Sequence, residues 1–88
     1  MSRYNVSLSR TAEKYLERCD APTRERLQQK LEKLKVDPFD SQNSKPMKGR
    51  SDRRSARAGG LRILFQVQGL DVIVAEIGPR GGIYKHGQ

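Results

Sequence analysis

Two glycines, Gly59 and Gly60, stand between two strand-like runs in "RSARAGGLRILFQV", Arg54 to Val67. A two-residue connection closes a tight antiparallel hairpin, and the length of a hairpin loop fixes its register. With these glycines at the turn, Ala58 pairs with Leu61 and Arg57 lies directly across from Arg62. Alternation then places Leu61, Ile63, Phe65 and Val67 on one face of the second strand, and Arg62, Leu64 and Gln66 on the other. The apolar face has to be covered by the rest of the chain. The opposite face carries two guanidinium groups side by side, with Ser55 and Arg53 behind them, an arrangement that weakens a sheet unless an anion sits between the charges.

The covering elements come earlier in the chain. "YNVSLS", Tyr4 to Ser9, alternates as a short half-buried strand. Ser9 is placed to cap a helix in which Ala12, Tyr15, Leu16 and Cys19 recur at helical spacing. Asp20 caps a second helix, Pro22 fits its first turn, and Leu27, Leu31 and Leu34 form its apolar stripe up to about Val36, before Pro38 stops it. Residues 37–51 hold two prolines and many small polar residues and read as a loop, with Phe39 and Met47 tucked onto the core. Strands follow at about Arg53–Ala58, Leu61–Val67 and Val72–Ile77, joined by Gly59-Gly60 and by "QGLD" as a meander. Pro79 and Gly81-Gly82 are expected to end the last strand and leave Arg80, Tyr84, Lys85 and His86 in a flexible arm. The expected fold is α+β: a small, curved, antiparallel or mixed sheet of about four strands packed against an N-terminal helical hairpin.

At 88 residues there is room for one core, so residues 1–88 read as a single domain. The lone Cys19 cannot form an internal disulfide and reads as small core filler, which suits a reducing cytoplasm. No stretch has the apolar length of a signal peptide or a membrane span, so the expected location is cytoplasmic with no membrane partner. The net charge is +8, and it is unevenly placed. Most acids precede residue 41, whereas Asp52 is the one acid among Lys45, Lys48, Arg50, Arg53, Arg54, Arg57 and Arg62. Such a surface calls for a polyanion: RNA, DNA or an acidic protein segment.

There is no GxSxG, no P-loop, no HExxH and no metal-ligand spacing, so neither a metal nor another cofactor is expected. What remains is cationic: Arg53, Arg57, Arg62, Arg80 and Lys85, with Tyr84 as the aromatic near them. Guanidinium groups can clamp a phosphodiester and offset the charge of a pentacovalent transition state. A tyrosine beside them can stack on a base or exchange a proton, and RNA brings its own nucleophile, the 2′-OH. Simple phosphate binding remains open beside cleavage. Lys45, Lys48, Arg50 and Arg54 read as surface charges, with Lys48 and Arg50 counted among the residues that could touch RNA. His86 reads as part of an unstructured tail.

The order of parts resembles the RelE/ParE superfamily of bacterial and archaeal toxins over nearly the whole chain. The matching segments are Asp37-Pro38, Lys45 with Met47-Lys48-Gly49, Arg57 through Val67, and Arg80 with Tyr84. The resemblance implies a RelE-like microbial RNase fold. It also implies a ribosome-dependent endonuclease that cuts mRNA in the A site by 2′-OH attack, inhibited by a RelB-like antitoxin. Operator DNA would be met only through that antitoxin. Carried over by residue, Arg62 would contact the scissile phosphate, Arg80 would stabilise the transition state, and Tyr84 would orient or activate the 2′-OH. Arg53 and Arg57 would be supporting contacts. Gly60 and Leu61 stand where the family usually has Asp and Tyr. Two other readings fit the same resemblance: a ParE-like inhibitor of DNA gyrase, and a catalytically degenerate RNA-binding homologue.

Overall fold

The hairpin forms in the register that the two glycines predict, and the other elements are arranged around it. The computed structural model describes residues 3–47 and 50–79, with the side chains of residues 50–52 excepted. In chain order the elements are β1 (Asn5–Leu8), α1 (Arg10–Arg18), α2 (Ala21–Val36), β2 (Lys45–Met47), β3 (Arg50–Ala58), β4 (Leu61–Gln68) and β5 (Asp71–Pro79). They form one five-stranded sheet of order β1-β5-β4-β3-β2, in which β1 runs parallel to β5 and every other pair is antiparallel. Gly59 has φ +64° and Gly69 has φ +60°, while Gly60 and Leu70 stay out of the positive region. That is the pattern of a type II′ turn, whose twist matches the strands it joins.

Both helices lie on the Ile63–Phe65 side. Ala12, Leu27, Leu31 and Leu34 pack there against Ala56, Ala58, Ile63, Phe65, Val72, Val74 and Ile77. Each helix starts where its cap residue predicts: the Ala12 N–H donates to Ser9 Oγ at 3.1 Å, and the Thr23 N–H to Asp20 Oδ1 at 3.3 Å. The helices are tied by Arg24, whose guanidinium donates to the carbonyls of Leu16, Glu17 and Cys19 at 3.2, 3.2 and 2.8 Å. These carbonyls stand at the end of α1, where the Leu16 carbonyl also accepts from the Cys19 N–H at 3.3 Å, so an α2 side chain completes the α1 terminus. Cys19 is half-buried, its thiol donating to the Tyr15 carbonyl at 3.2 Å. Burial first, then the Asp20 carboxylate, pushes the thiol pKa up against a smaller opposing effect of Arg24, as befits a packing residue and not a nucleophile.

The sheet departs from expectation in three places. A short strand, β2, lies inside the stretch 37–51 that reads as loop, and β3 begins at Arg50 instead of Arg53, giving five strands. A three-residue strand with a central proline has no detectable period, and Pro46 is tolerated because β2 is the edge of the sheet. The last strand runs through Gly78 to Pro79, which sits opposite Leu61. β1 covers β5 only from Asp71 to Val74, so beyond that point no strand among the described residues pairs with this edge of β5, and a missing N–H there breaks no ladder between them. Third, Phe39 is 51% exposed instead of tucked in, its ring edge-on to Tyr4 at 6.3 Å. Met47 is likewise away from the core, lining a hollow with Arg53, Leu64, Gln66 and Glu76 on the far side of the sheet.

A β-bulge in β5 decides which of its residues go inward. Leu64 pairs with Glu76 and Phe65 with Val74, leaving Ala75 without a partner on β4. Strict alternation from Val72 and Val74 would turn the Glu76 carboxylate into the core; the extra residue turns Ile77 inward in its place. Ser9 supports this bulge, because its N–H donates to the Val74 carbonyl at 2.8 Å and its hydroxyl to the Ala75 carbonyl at 2.6 Å. One hydroxyl thus caps α1 and satisfies the bulge.

Ser9→Ala is therefore expected to cost about 1–2 kcal/mol, seen as a lower urea midpoint with unchanged slope. The two turn glycines should behave differently. A Cβ on Gly59 meets the Arg26 guanidinium at 2.9 Å and suffers the positive φ, whereas one on Gly60 meets nothing within 4 Å. Gly59→Ala should lose about 1–2 kcal/mol and Gly60→Ala less than about 0.5 kcal/mol in the same denaturation measurement.

Candidate nucleic-acid interface

Residues opposite one another in a sheet share a face, so the register lists what stands away from the helices. Arg53 pairs with Gln66, Ser55 with Leu64, and Arg57 with Arg62. On the other side of β4, Gln66 pairs with Ile73, Leu64 with Glu76, and Arg62 with Gly78. Neither helix covers this face. Ala58 and Leu61 flank the turn as a hydrogen-bonded pair, so Arg57 and Arg62 form the next, non-hydrogen-bonded pair, whose Cα atoms lie about 4.5 Å apart in such ladders. Gly78, on the far side of Arg62, adds no side chain of its own.

The face is not uniformly basic. Glu76 lies on it beside Leu64 and Ile73, and it shares with Arg53 and Leu64 the hollow of about 130 Å³ that Met47 helps to line. The cations therefore gather toward the β3–β4 turn and the β2 edge. Arg57 and Arg62 both line a second hollow there, to which α2 contributes Lys30 and the start of β2 contributes Lys45. The sequence signal for Lys30 is faint: it flanks the leucine stripe of α2, a place where lysines commonly point to solvent. Lys45 read as a plain surface charge, and only the short span of β2 brings it to this corner.

Arg54 is not a plain surface charge. It pairs with Phe65, which puts it on the helix side at the sheet edge. There its Nε donates to Ser44 Oγ at 2.7 Å, and Nη2 reaches the carbonyls of Phe39 and Ser44, both at 3.3 Å. Its guanidinium lies 5.3 Å from the centroid of the Phe39 ring. The buried Ser44 hydroxyl donates in turn to the Pro38 carbonyl. Arg54 therefore holds the segment between α2 and β2, and with it the position of Lys45.

Of the other residues singled out in the sequence, Lys48, Arg80, Tyr84, Lys85 and His86 lie outside the described residues, and Arg50 is described only as a backbone partner of Met47. Among the described residues no group of three His, Cys, Asp or Glu side chains could hold a metal ion, and no helix is long and apolar enough to cross a membrane.

Comparison with known proteins agrees with this architecture. Residues 6–84 match the model of the family described as ParE toxin of type II toxin–antitoxin system, parDE. This chain belongs to that family, within the RelE/ParE superfamily. No curated protein matches it significantly by sequence. Among solved structures, a chain of the archaeal RelE–RelB complex from Pyrococcus horikoshii has a TM-score of 0.76 at 20% identity, covering 90% of this chain and 97% of that one. The RelBE2 toxin–antitoxin complex from Mycobacterium tuberculosis gives 0.76 at 21% identity, covering 89% and 99%. The intact E. coli RelBE complex gives 0.73 at 25% identity, covering 86% and 95%. The shared fold is that of RelE toxins.

Arg54→Ala should leave the fold intact but release its flanking segment. We expect a loss of about 1–2 kcal/mol in global stability. Amide hydrogen exchange should quicken at Asn43 and Ser44, both of which donate to the Asp40 carbonyl, more than in β4.

Proposed function

We propose that this type II toxin is a ribosome-dependent endoribonuclease that cleaves mRNA with the sheet face its helices leave open. The observation that carries the reading is the pairing of Arg57 with Arg62 on the face the helices leave open. A pair of like charges held in register costs sheet stability, and a phosphodiester between them removes that cost. In the proposed reaction the ribose 2′-oxygen forms a bond to phosphorus while the bond to the 5′-oxygen breaks. The products are a 2′,3′-cyclic phosphate and a 5′-OH; one proton leaves the 2′-OH and another reaches the departing oxygen. Arg62 would hold the scissile phosphate, with Arg57 and Arg53 along the strand and Lys48, Arg50 and Lys85 as further RNA contacts. Arg80 would meet the developing charge and Tyr84 would orient or deprotonate the 2′-OH. An arginine is always protonated, so Arg62 serves the reaction by electrostatics and not as a base.

The same +8 chain would be silenced by an acidic antitoxin segment laid over the basic face, its ordering entropy offset by the contacts it makes. Structural neighbours solved as toxin–antitoxin complexes support such a partner. The site of action would be the bacterial or archaeal cytoplasm.

A second reading has its own support: the matched family is described as ParE toxin, and the resemblance seen in the sequence also fits a ParE-like inhibitor of DNA gyrase. Induction of the chain in a bacterial host separates the two. Pulse labelling should show protein synthesis failing before DNA synthesis, and primer extension should map new 5′ ends within translated mRNA. Arg62→Ala should lower the cleavage rate on the order of 10²-fold or more. DNA synthesis failing first, with intact transcripts, would establish the gyrase reading in its place.

A further inference from the structure

β2 is too short to cover β3. Its last partner toward the turn is Ser55, paired with Lys45, so from Ala56 onward no strand among the described residues pairs with the outer edge of β3. In the ladder alternation set by the Ala58–Leu61 pair, the Arg57 N–H points to this edge, away from β4. A hollow of about 220 Å³ lies there, bounded by Ser41–Lys45, by Ser55, Ala56 and Arg57, by Arg62, and by Lys30 from α2. Four of its lining side chains are cations and several others are neutral hydrogen-bonding groups; among the described residues no carboxylate lines it. Its volume is below the 300–1,000 Å³ common for drug-sized ligands and suits a group no larger than a phosphate with part of a sugar.

We infer that this hollow is a phosphate-binding subsite, formed by Lys30, Lys45 and Arg57 with Arg62 bordering it on the scissile side, that takes a phosphodiester of the RNA strand next to the scissile one. An anion here would be met from both faces of the sheet, by the arginines from the open side and by Lys30 from the helix side. Burial lowers the pKa of the Lys30 ammonium, and the neighbouring Lys33 adds to the effect. A bound phosphate offsets both. The nucleic-acid identity of the anion rests on the function proposed above, whereas the existence of an anion site does not. Lys30 and Lys45 are positioning residues in this scheme, since neither is required to touch the reacting atoms.

Inorganic phosphate titrated into the isotope-labelled chain should shift the amide resonances of Ser44, Lys45, Ala56 and Arg57 along one saturable curve. Lys30→Gln should weaken that curve about fivefold or more, and Lys30→Arg should restore it. A linear response without saturation, or equal binding by a folded Lys30→Gln variant, would overturn the site. The second arm uses a single-stranded oligonucleotide whose 2′-OH groups are methylated, so that it binds without being cut. Lys30→Gln should reduce the slope of log affinity against log salt by about 0.7, as expected for one lost phosphate contact on a single strand. An unchanged slope alongside weakened phosphate binding would remove the RNA assignment. In cleavage assays Lys30→Gln should raise KM and leave kcat near its original value. Neither binding arm depends on cleavage, so failure of the nuclease reading and failure of the subsite give different results.

Discussion

The register of one hairpin governs both what this protein buries and what it exposes. Gly59, at φ +64°, lets the chain reverse in two residues, and that reversal places Ile63 and Phe65 under the helices while holding Arg57 opposite Arg62 on the other side. A slip of one residue would exchange the two sets, burying Arg62 and exposing Phe65. The cost of burying a guanidinium exceeds the repulsion between two arginines on the open face, so the hydrophobic face keeps Arg57 and Arg62 opposite one another despite their charge. Like charges are held together here by the packing behind them.

The same core joins elements distant in sequence. Ser9, the cap that precedes α1, donates to the bulged middle of β5, and this bulge keeps Glu76 out of the core while admitting Ile77. Arg24 completes the end of α1 from α2, and Arg26 lies across Gly59 at the hairpin turn. The helical hairpin therefore holds the position of the turn beside which the arginine pair sits. Fold and interface share these contacts, so a change in a cap or a turn residue reaches the cationic face without touching it.

At the β2 edge the cations have separate tasks. Arg54 faces the helices and spends its hydrogen-bonding capacity on Ser44 and Phe39, which fixes the backbone that leads into Lys45. Lys45, Arg57, Arg62 and Lys30 line a common hollow. Adjacent arginines in the sequence, Arg53 and Arg54, thus have unlike roles because alternation sends them to opposite sides of the sheet. Charge counting cannot separate them.

The sequence by itself determined the two helices, their caps at Ser9 and Asp20, the meander of β3, β4 and β5, and the opposition of Arg57 and Arg62. Each is specified locally, by a periodicity, a cap or a turn whose geometry depends on a few neighbouring residues. Only the tertiary structure decided the parallel pairing of β1 with β5, the bulge at Ala75, the edge strand β2, the inward-facing clamp of Arg54 and the approach of Lys30 to the β3 edge. Those depend on which distant segments meet, and no local pattern records that. A strand of three residues has no period to read, and a lysine beside a leucine stripe reveals its neighbour only when the sheet is laid against the helix.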